Sequence, residues 1–283
     1  MKLSDRIIIP LKFKGGRFHV RNGVRFITLL IVLALITAPG CTGKLLKKKK
    51  INLAPFSEDL RSDDWKIRRA AVRNISRYKD NDTIPLLIEA SQDSHSLVRI
   101  EAVRGLGHFH DSSAKRRIMD MAEKEKNANV RWFSIKTLSQ YRESTFALVF
   151  AKGLKSEDWL IREESIKGLL KIDDFAIRYL SITYILEALN DPNESVVIAT
   201  LLNVRIKDDK IYARIASLLL KSQEHKLTLR VSALKALRGY RLDRKTRKYI
   251  IDLLVHRNRD IRIWAYRVLL DDKRLRDKEK YEE

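Results

Sequence analysis

The chain has 283 residues, 45% apolar and 33% charged, with only 10 Gly and 5 Pro; this argues against wholesale disorder and against a turn-rich β architecture, and favours helices. Its net charge of +22 suits anionic partners (phospholipid, a polyanionic envelope polymer, nucleic acid or an acidic protein) without choosing among them, and a merely solvated helical surface has the same composition. The single cysteine, Cys41, excludes an internal disulfide and any CxxC pair for zinc or redox chemistry.

In chain order, residues 1–25 are basic, with Lys2, Arg6, Lys12, Lys14, Arg17, Arg21 and Arg25; residues 1–40 account for +6, which leaves +16 on the rest. The run Phe26–Ala38 carries no polar group beyond Thr28 and Thr37. As a helix it reaches roughly 20 Å, short of a hydrocarbon core of about 30 Å. That length suits the apolar region of an export signal better than a permanent span. The run closes on Ala38-Pro39-Gly40-Cys41, which resembles the lipobox of bacterial lipoproteins. Ala38, where that family prefers a branched aliphatic residue, and Pro39 depart from it. The resemblance implies removal of residues 1–40, acylation of Cys41 and a place in the cell envelope, in either membrane. A short uncleaved anchor and a buried apolar helix are the alternatives. Two acyl chains, at about 0.8 kcal/mol per buried CH₂, would hold the chain firmly on a bilayer. Lys47, Lys48, Lys49 and Lys50 would then face anionic headgroups, each adding about 1 kcal/mol. Residues 41–55 read as a basic tether closed by Pro55.

From residue 56 a short pattern recurs: aliphatic, often Arg, two residues, small, three residues, aliphatic. Its copies are Ile67-Arg68…Ala71…Ile75, Val98-Arg99…Ala102…Leu106, Val130-Arg131…Ser134…Leu138, Ile161-Arg162…Ser165…Leu169, Val196-Val197…Thr200…Val204, Leu229-Arg230…Ala233…Leu237 and Ile261-Arg262…Ala265…Leu269. They start 31, 32, 31, 35, 33 and 32 residues apart, the period of one helical hairpin per repeat. With the first aliphatic as position 0, positions 0, +4 and +8 fall within about 80° on a helical wheel. Position +5 is apolar in every copy, so each second helix offers a broad face to a core. Polar turn residues precede the copies and several can cap the helix that follows: Ser62-Asp63-Asp64, Asp93-Ser94, Asn127, Glu157-Asp158, Asp191-Pro192-Asn193 and Asn258. Between them lie apolar-patterned first helices at 84–90, 118–122, 146–154, 175–189, 211–220 and 249–255, with only a stub, 56–60, before the first copy.

The VRxxAxxxL signature over residues 56–271 resembles the HEAT family, in particular its short variant related to bilin-lyase repeats. The resemblance implies an all-α, right-handed α-solenoid of about seven hairpins, its second helices on the concave side. Residues 272–283 form a charged tail, the polar end that a terminal repeat needs.

Two rows of cations follow from the register. At +1 stand Arg68, Arg99, Arg131, Arg162, Arg230 and Arg262, which the family resemblance assigns to bonds with loop carbonyls and acids. At +6 stand Arg73, Arg104, Lys136, Lys167, Lys235 and Arg267, with Leu202 in the fifth copy. The wheel sets +6 opposite the core, as a ladder with rungs roughly 10 Å apart. Beside it, +2 carries Ile100, Trp132, Ile198, Val231 and Ile263 among others. Exposed apolar groups next to cations would suit an acidic, amphipathic protein or polymer. The opposing reading is that +2 packs on the next repeat and +6 is solvated.

Catalytic signals are poor. His108 and His110 form a lone HxH, and GxSxG, GxGxxG and GxxxxGK[ST] are absent. Glu163-Glu164 and Asp173-Asp174, about 100° apart on a helix, read as surface charge. Trp65, Trp132, Trp159 and Trp264 read as core. The expectation is a membrane-anchored binding scaffold with no catalytic residue, metal or cofactor. Alternatives implied by the resemblance are a nucleic-acid protein like the HEAT-like DNA glycosylases and a bilin-lyase-like protein.

Overall fold

The computed structural model describes residues 52–222 and 226–272. The signal at 1–40, Cys41, Lys47–Lys50 and tail residues 273–283 lie outside the described residues. Fourteen α-helices form seven successive hairpins: α1 (Ala54–Asp59) with α2 (Trp65–Ser76), α3 (Ile84–Ala90) with α4 (Ser96–Leu106), α5 (Ser112–Lys124) with α6 (Ala128–Tyr141), α7 (Ala147–Gly153) with α8 (Trp159–Lys171), α9 (Phe175–Ala188) with α10 (Glu194–Asn203), α11 (Asp209–Lys221) with α12 (Leu227–Leu237), and α13 (Arg244–Asp252) with α14 (Arg259–Leu270). No strand occurs among the described residues.

The second helices begin where the turn chemistry dictates. Three residues before the first aliphatic of each copy, Asp64, His95, Asn127, Asp158, Asn193 and Asn258 accept a hydrogen bond from a backbone N–H of the first turn. Each satisfies one of the donors that a helix start leaves unpaired. Lys226, at the same place before α12, makes no such bond. Pro55, read as the close of the tether, instead lies in the first turn of α1, where its missing N–H costs nothing. At the other end Asp272, read as tail, is fully buried and bonded to Arg247.

The recurring positions build one interior. Position 0 is buried in copies two to seven, +4 in all seven, and +5 in copies one to six. First helices contribute Leu87, Ile118, Phe150, Ile185, Ile215 and Ile250 to the same core. Each such side chain contributes roughly 1.5–3 kcal/mol on burial. The exceptions stand at the ends. Ile67 is 45% exposed and Tyr266 57%, because only the short α1 precedes α2 and no described helix stacks after α14. Neighbouring second helices pack closely along the whole array, whereas neighbouring first helices touch sparingly. The second helices therefore form the inner row.

The +1 arginines clasp consecutive repeats. Arg68 binds Asp93 through Nε and Nη2 at 2.6 and 2.8 Å, Arg99 binds Glu125 at 3.0 and 2.8 Å, and Arg162 binds Asp191 at 2.7 and 2.9 Å. Each Nη1 donates to two carbonyls of its own loop: those of Ser62 and Asp63, Asp93 and Ser94, and Ser156 and Glu157. The fork geometry of a guanidinium suits this double duty, which a lysine could not perform. Each acid also accepts a backbone N–H two residues on, from His95, Asn127 and Asn193. Arg131 and Arg262 keep only the carbonyl bonds, since Ser156 occupies the acid position after Arg131. The fifth copy has Val197, buried, in place of the arginine.

Candidate binding face on the second helices

The +6 residues lie on the inner row, and the structure divides them into two kinds. Arg73 and Arg104 stand 51% and 54% exposed, but both reach Glu101, at 3.4 and 3.7 Å, and Arg69 joins them at 3.4 Å. Glu101, at position +3, is 3% exposed. Lys167 is held by Glu164 at 2.7 Å and Glu163 at 3.0 Å. Burial opposes the charge on Lys167, yet the bonds to Glu164 and Glu163 outweigh it and raise its pKa above the ordinary lysine value. Three of the six rungs thus have an acid partner on the same face, Glu101 being shared among Arg69, Arg73 and Arg104. The Glu163-Glu164 pair is corrected: Glu164 is 4% exposed and serves Lys167, because +3 faces inward between neighbouring helices.

The other three rungs, Lys136, Lys235 and Arg267, have no ion-pair partner among the described residues and each lies over a tryptophan. Lys136 Nζ is 4.7 Å from the Trp132 ring centre; Lys235 Nζ and the Arg267 guanidinium carbon approach Trp264 at 5.0 and 4.7 Å, with Arg238 at 5.8 Å. Arg104 covers Phe133 at 5.1 Å. Cations within about 6 Å of an indole are held by the ring quadrupole while their outer side stays open to an anion. Trp132 and Trp264 are half-buried and pack against the core, as read, while their remaining ring surface lies under these cations. Trp159 is 38% exposed and Trp65 stacks on His95 at 4.0 Å. The +2 residues are part-buried, and Ile100, Trp132, Ile198 and Val231 pack against the core. The apolar stripe beside the cations is narrower than the wheel implied.

The fifth repeat interrupts the face, with Leu202 52% exposed at +6. Its first helix, α9, leaves Phe175, Tyr179 and Leu180 at 86%, 72% and 65% exposure. Phe175 and Tyr179 line a cleft of ≈400 Å³ that Arg142, Arg178 and Arg205 also line. The apolar pattern of 175–189 read as a core face, and only Ser181, Ile185, Ala188 and Leu189 within it are buried. His108 and His110 are exposed, and His110 sets its ring edge-on to Tyr141 at 5.4 Å. Among the described residues no group of three or more His, Cys, Asp or Glu is placed to hold a metal. Likewise no described helix is long and apolar enough to cross a membrane.

Helical hairpins stacked through a shared core, with inter-repeat arginine clasps, define an α-solenoid. The family model for HEAT repeats matches residues 53–131 and, overlapping, 90–148, so that stretch is similar to HEAT repeats. Solved structures of similar fold include YibA of Escherichia coli, 18% identical over 75% of this chain and 79% of that one, with a TM-score of 0.58. An archaeal HEAT-like repeats protein from Thermococcus onnurineus NA1 is 21% identical over 77% and 96%, with a TM-score of 0.50. An engineered protein is 15% identical over 78% and 68%, with a TM-score of 0.53. No curated protein matches the sequence.

Proposed function

We propose that this HEAT-repeat chain is a non-catalytic scaffold that receives an acidic protein segment on its second-helix face, while acylated Cys41 holds it at a membrane of the cell envelope. The observation that carries the binding reading is the set of uncompensated cations over Trp132 and Trp264. An aromatic plate under a cation offers an acidic side chain both a charge partner and a surface for its methylenes. Lys47–Lys50 would lie beside the headgroups, next to the acyl chains. The compensated rungs Arg73, Arg104 and Lys167 belong to the folding of the face more than to its ligand.

The test is a titration of the full chain, in detergent, with a glutamate-rich peptide. Reversal of Lys136, Lys235 and Arg267 to Glu weakens binding at least about tenfold with the helical dichroism unchanged, as loss of about 1.4 kcal/mol or more requires. Unchanged affinity contradicts the groove. A DNA duplex that binds in preference to the peptide, with affinity falling steeply as salt rises, would favour the nucleic-acid alternative. For the anchor, a palmitate analogue fed to cells labels the wild-type chain in membranes and leaves Cys41→Ala unlabelled; equal labelling of the two contradicts acylation at Cys41.

A further inference from the structure

Arg230 is the +1 arginine of the sixth repeat, and its surroundings differ from those of its siblings. It is 4% exposed, and its Nε has no hydrogen-bond partner. Arg68, Arg99 and Arg162 each meet an acid of the following repeat, five residues before that repeat's first aliphatic: Asp93, Glu125 and Asp191. In the seventh repeat that position is His256. No carboxylate among the described residues pairs with Arg230.

What surrounds the guanidinium is a set of donors. Nη2 donates to the Tyr249 hydroxyl at 2.9 Å, which leaves the hydroxyl's own proton to give. His256 Nδ1 accepts the Asn258 N–H at 3.0 Å, so the neutral ring carries its proton on Nε2. Nε2 stands 3.4 Å from Arg230 Nη1: two donors facing each other with nothing between them to accept. A buried cation is costly unless paired. Here a guanidinium, an imidazole N–H and a phenol O–H stand together with the phenol oxygen as the only acceptor among them and no carboxylate, at the place where three sibling repeats put one. Tyr249 also lines a cleft of ≈570 Å³ that Lys221, Asp243, Lys245 and Thr246 border, so the seam opens to solvent on the Tyr249 side.

We propose that the seam between the sixth and seventh repeats, at Arg230, Tyr249 and His256, is a carboxylate-binding site that takes an acidic side chain of a bound protein. The geometry supplies the site; the source of the carboxylate rests on the scaffold reading above. The test needs no partner. Thermal unfolding of the full chain is followed in sodium acetate, sodium phosphate and sodium chloride at equal ionic strength. Acetate raises the wild-type Tm above its chloride value by on the order of 3 °C, through binding to the folded state alone. His256→Glu, which restores the siblings' acid, has a higher Tm in chloride and no acetate response. Arg230→Met removes the cation and also loses the response, so the test stands even where the glutamate variant fails to fold. An acetate response that persists in Arg230→Met overturns the proposal, as does a wild-type chain stabilised by phosphate and not by acetate. The triple reversal at Lys136, Lys235 and Arg267 keeps the acetate response, which separates failure of this site from failure of the groove.

Discussion

A single residue type does most of the joining in this chain, and its surroundings decide what it does. The +1 arginines are legible from the register as structural groups, since a guanidinium at the edge of a buried face must find acceptors. Their acids are harder to see, because Asp93, Glu125 and Asp191 lie 25 to 29 residues away among turn residues that look sufficient as caps. They are both. Burial works against the charge of Asp191, but the bonds from Arg162 and the Asn193 N–H outweigh it and hold its pKa below the ordinary carboxylate value of 3.8. A group depressed in the folded state stabilises fully above its unfolded pKa, and that stabilisation is lost as pH falls through the folded one. Asp191→Asn therefore costs about 2 kcal/mol near neutrality, and the gap to wild type closes as pH falls below 3.8. Chemical denaturation across that range checks it; a gap independent of pH would assign the loss to packing alone. Glu101 and Glu164 were the opposite case. A wheel of +6 cations looks uniformly open, and only the neighbouring helix makes +3 an inward position where these two carboxylates sit beneath three of the rungs.

At the scale of the element, the second helices were readable to within a residue or two because caps and apolar spacing agree. The first helix read at 118–122 was read short: α5 begins at Ser112, six residues before its first strong apolar residue, because Asp111 caps a stretch (SSAKRR) with nothing large to bury. Close approach of the two helices in a hairpin also depends on glycine where a first-helix side chain presses hardest. A Cβ on Gly168 would meet the Phe150 ring at 2.6 Å, and Phe150 is 1% exposed in a packed core. Gly→Ala within a helix ordinarily stabilises by about 1 kcal/mol. At Gly168 the overpacking reverses the sign, so Gly168→Ala destabilises by roughly 1–3 kcal/mol, measured as a lowered denaturation midpoint. A gain in stability would show that α7 and α8 have more room than the contact implies. The exposed end of α9 escaped the sequence reading because an all-round apolar helix announces burial without saying which side is covered.

For the whole molecule, the repeat period carried the fold class, and nearest-neighbour stacking explains its exceptions. Ile67 and Tyr266 are exposed because they end the series, and the clasp and cation rows both lapse at the fifth repeat, where Val197 and Leu202 replace charged residues. The row of +6 cations was legible in position, but not the pairing of its members. Charge counting made six alike rungs, whereas the folded array gives three of them acid partners and sets the others over tryptophans in the third and seventh repeats. The measurement that tests this most directly is tryptophan emission from the full chain during titration with a glutamate-rich peptide. The account predicts a saturable change that disappears in the Trp132→Leu/Trp264→Leu double variant and survives in Trp159→Leu. A change that survives loss of Trp132 and Trp264, or that Trp159→Leu abolishes, would contradict it.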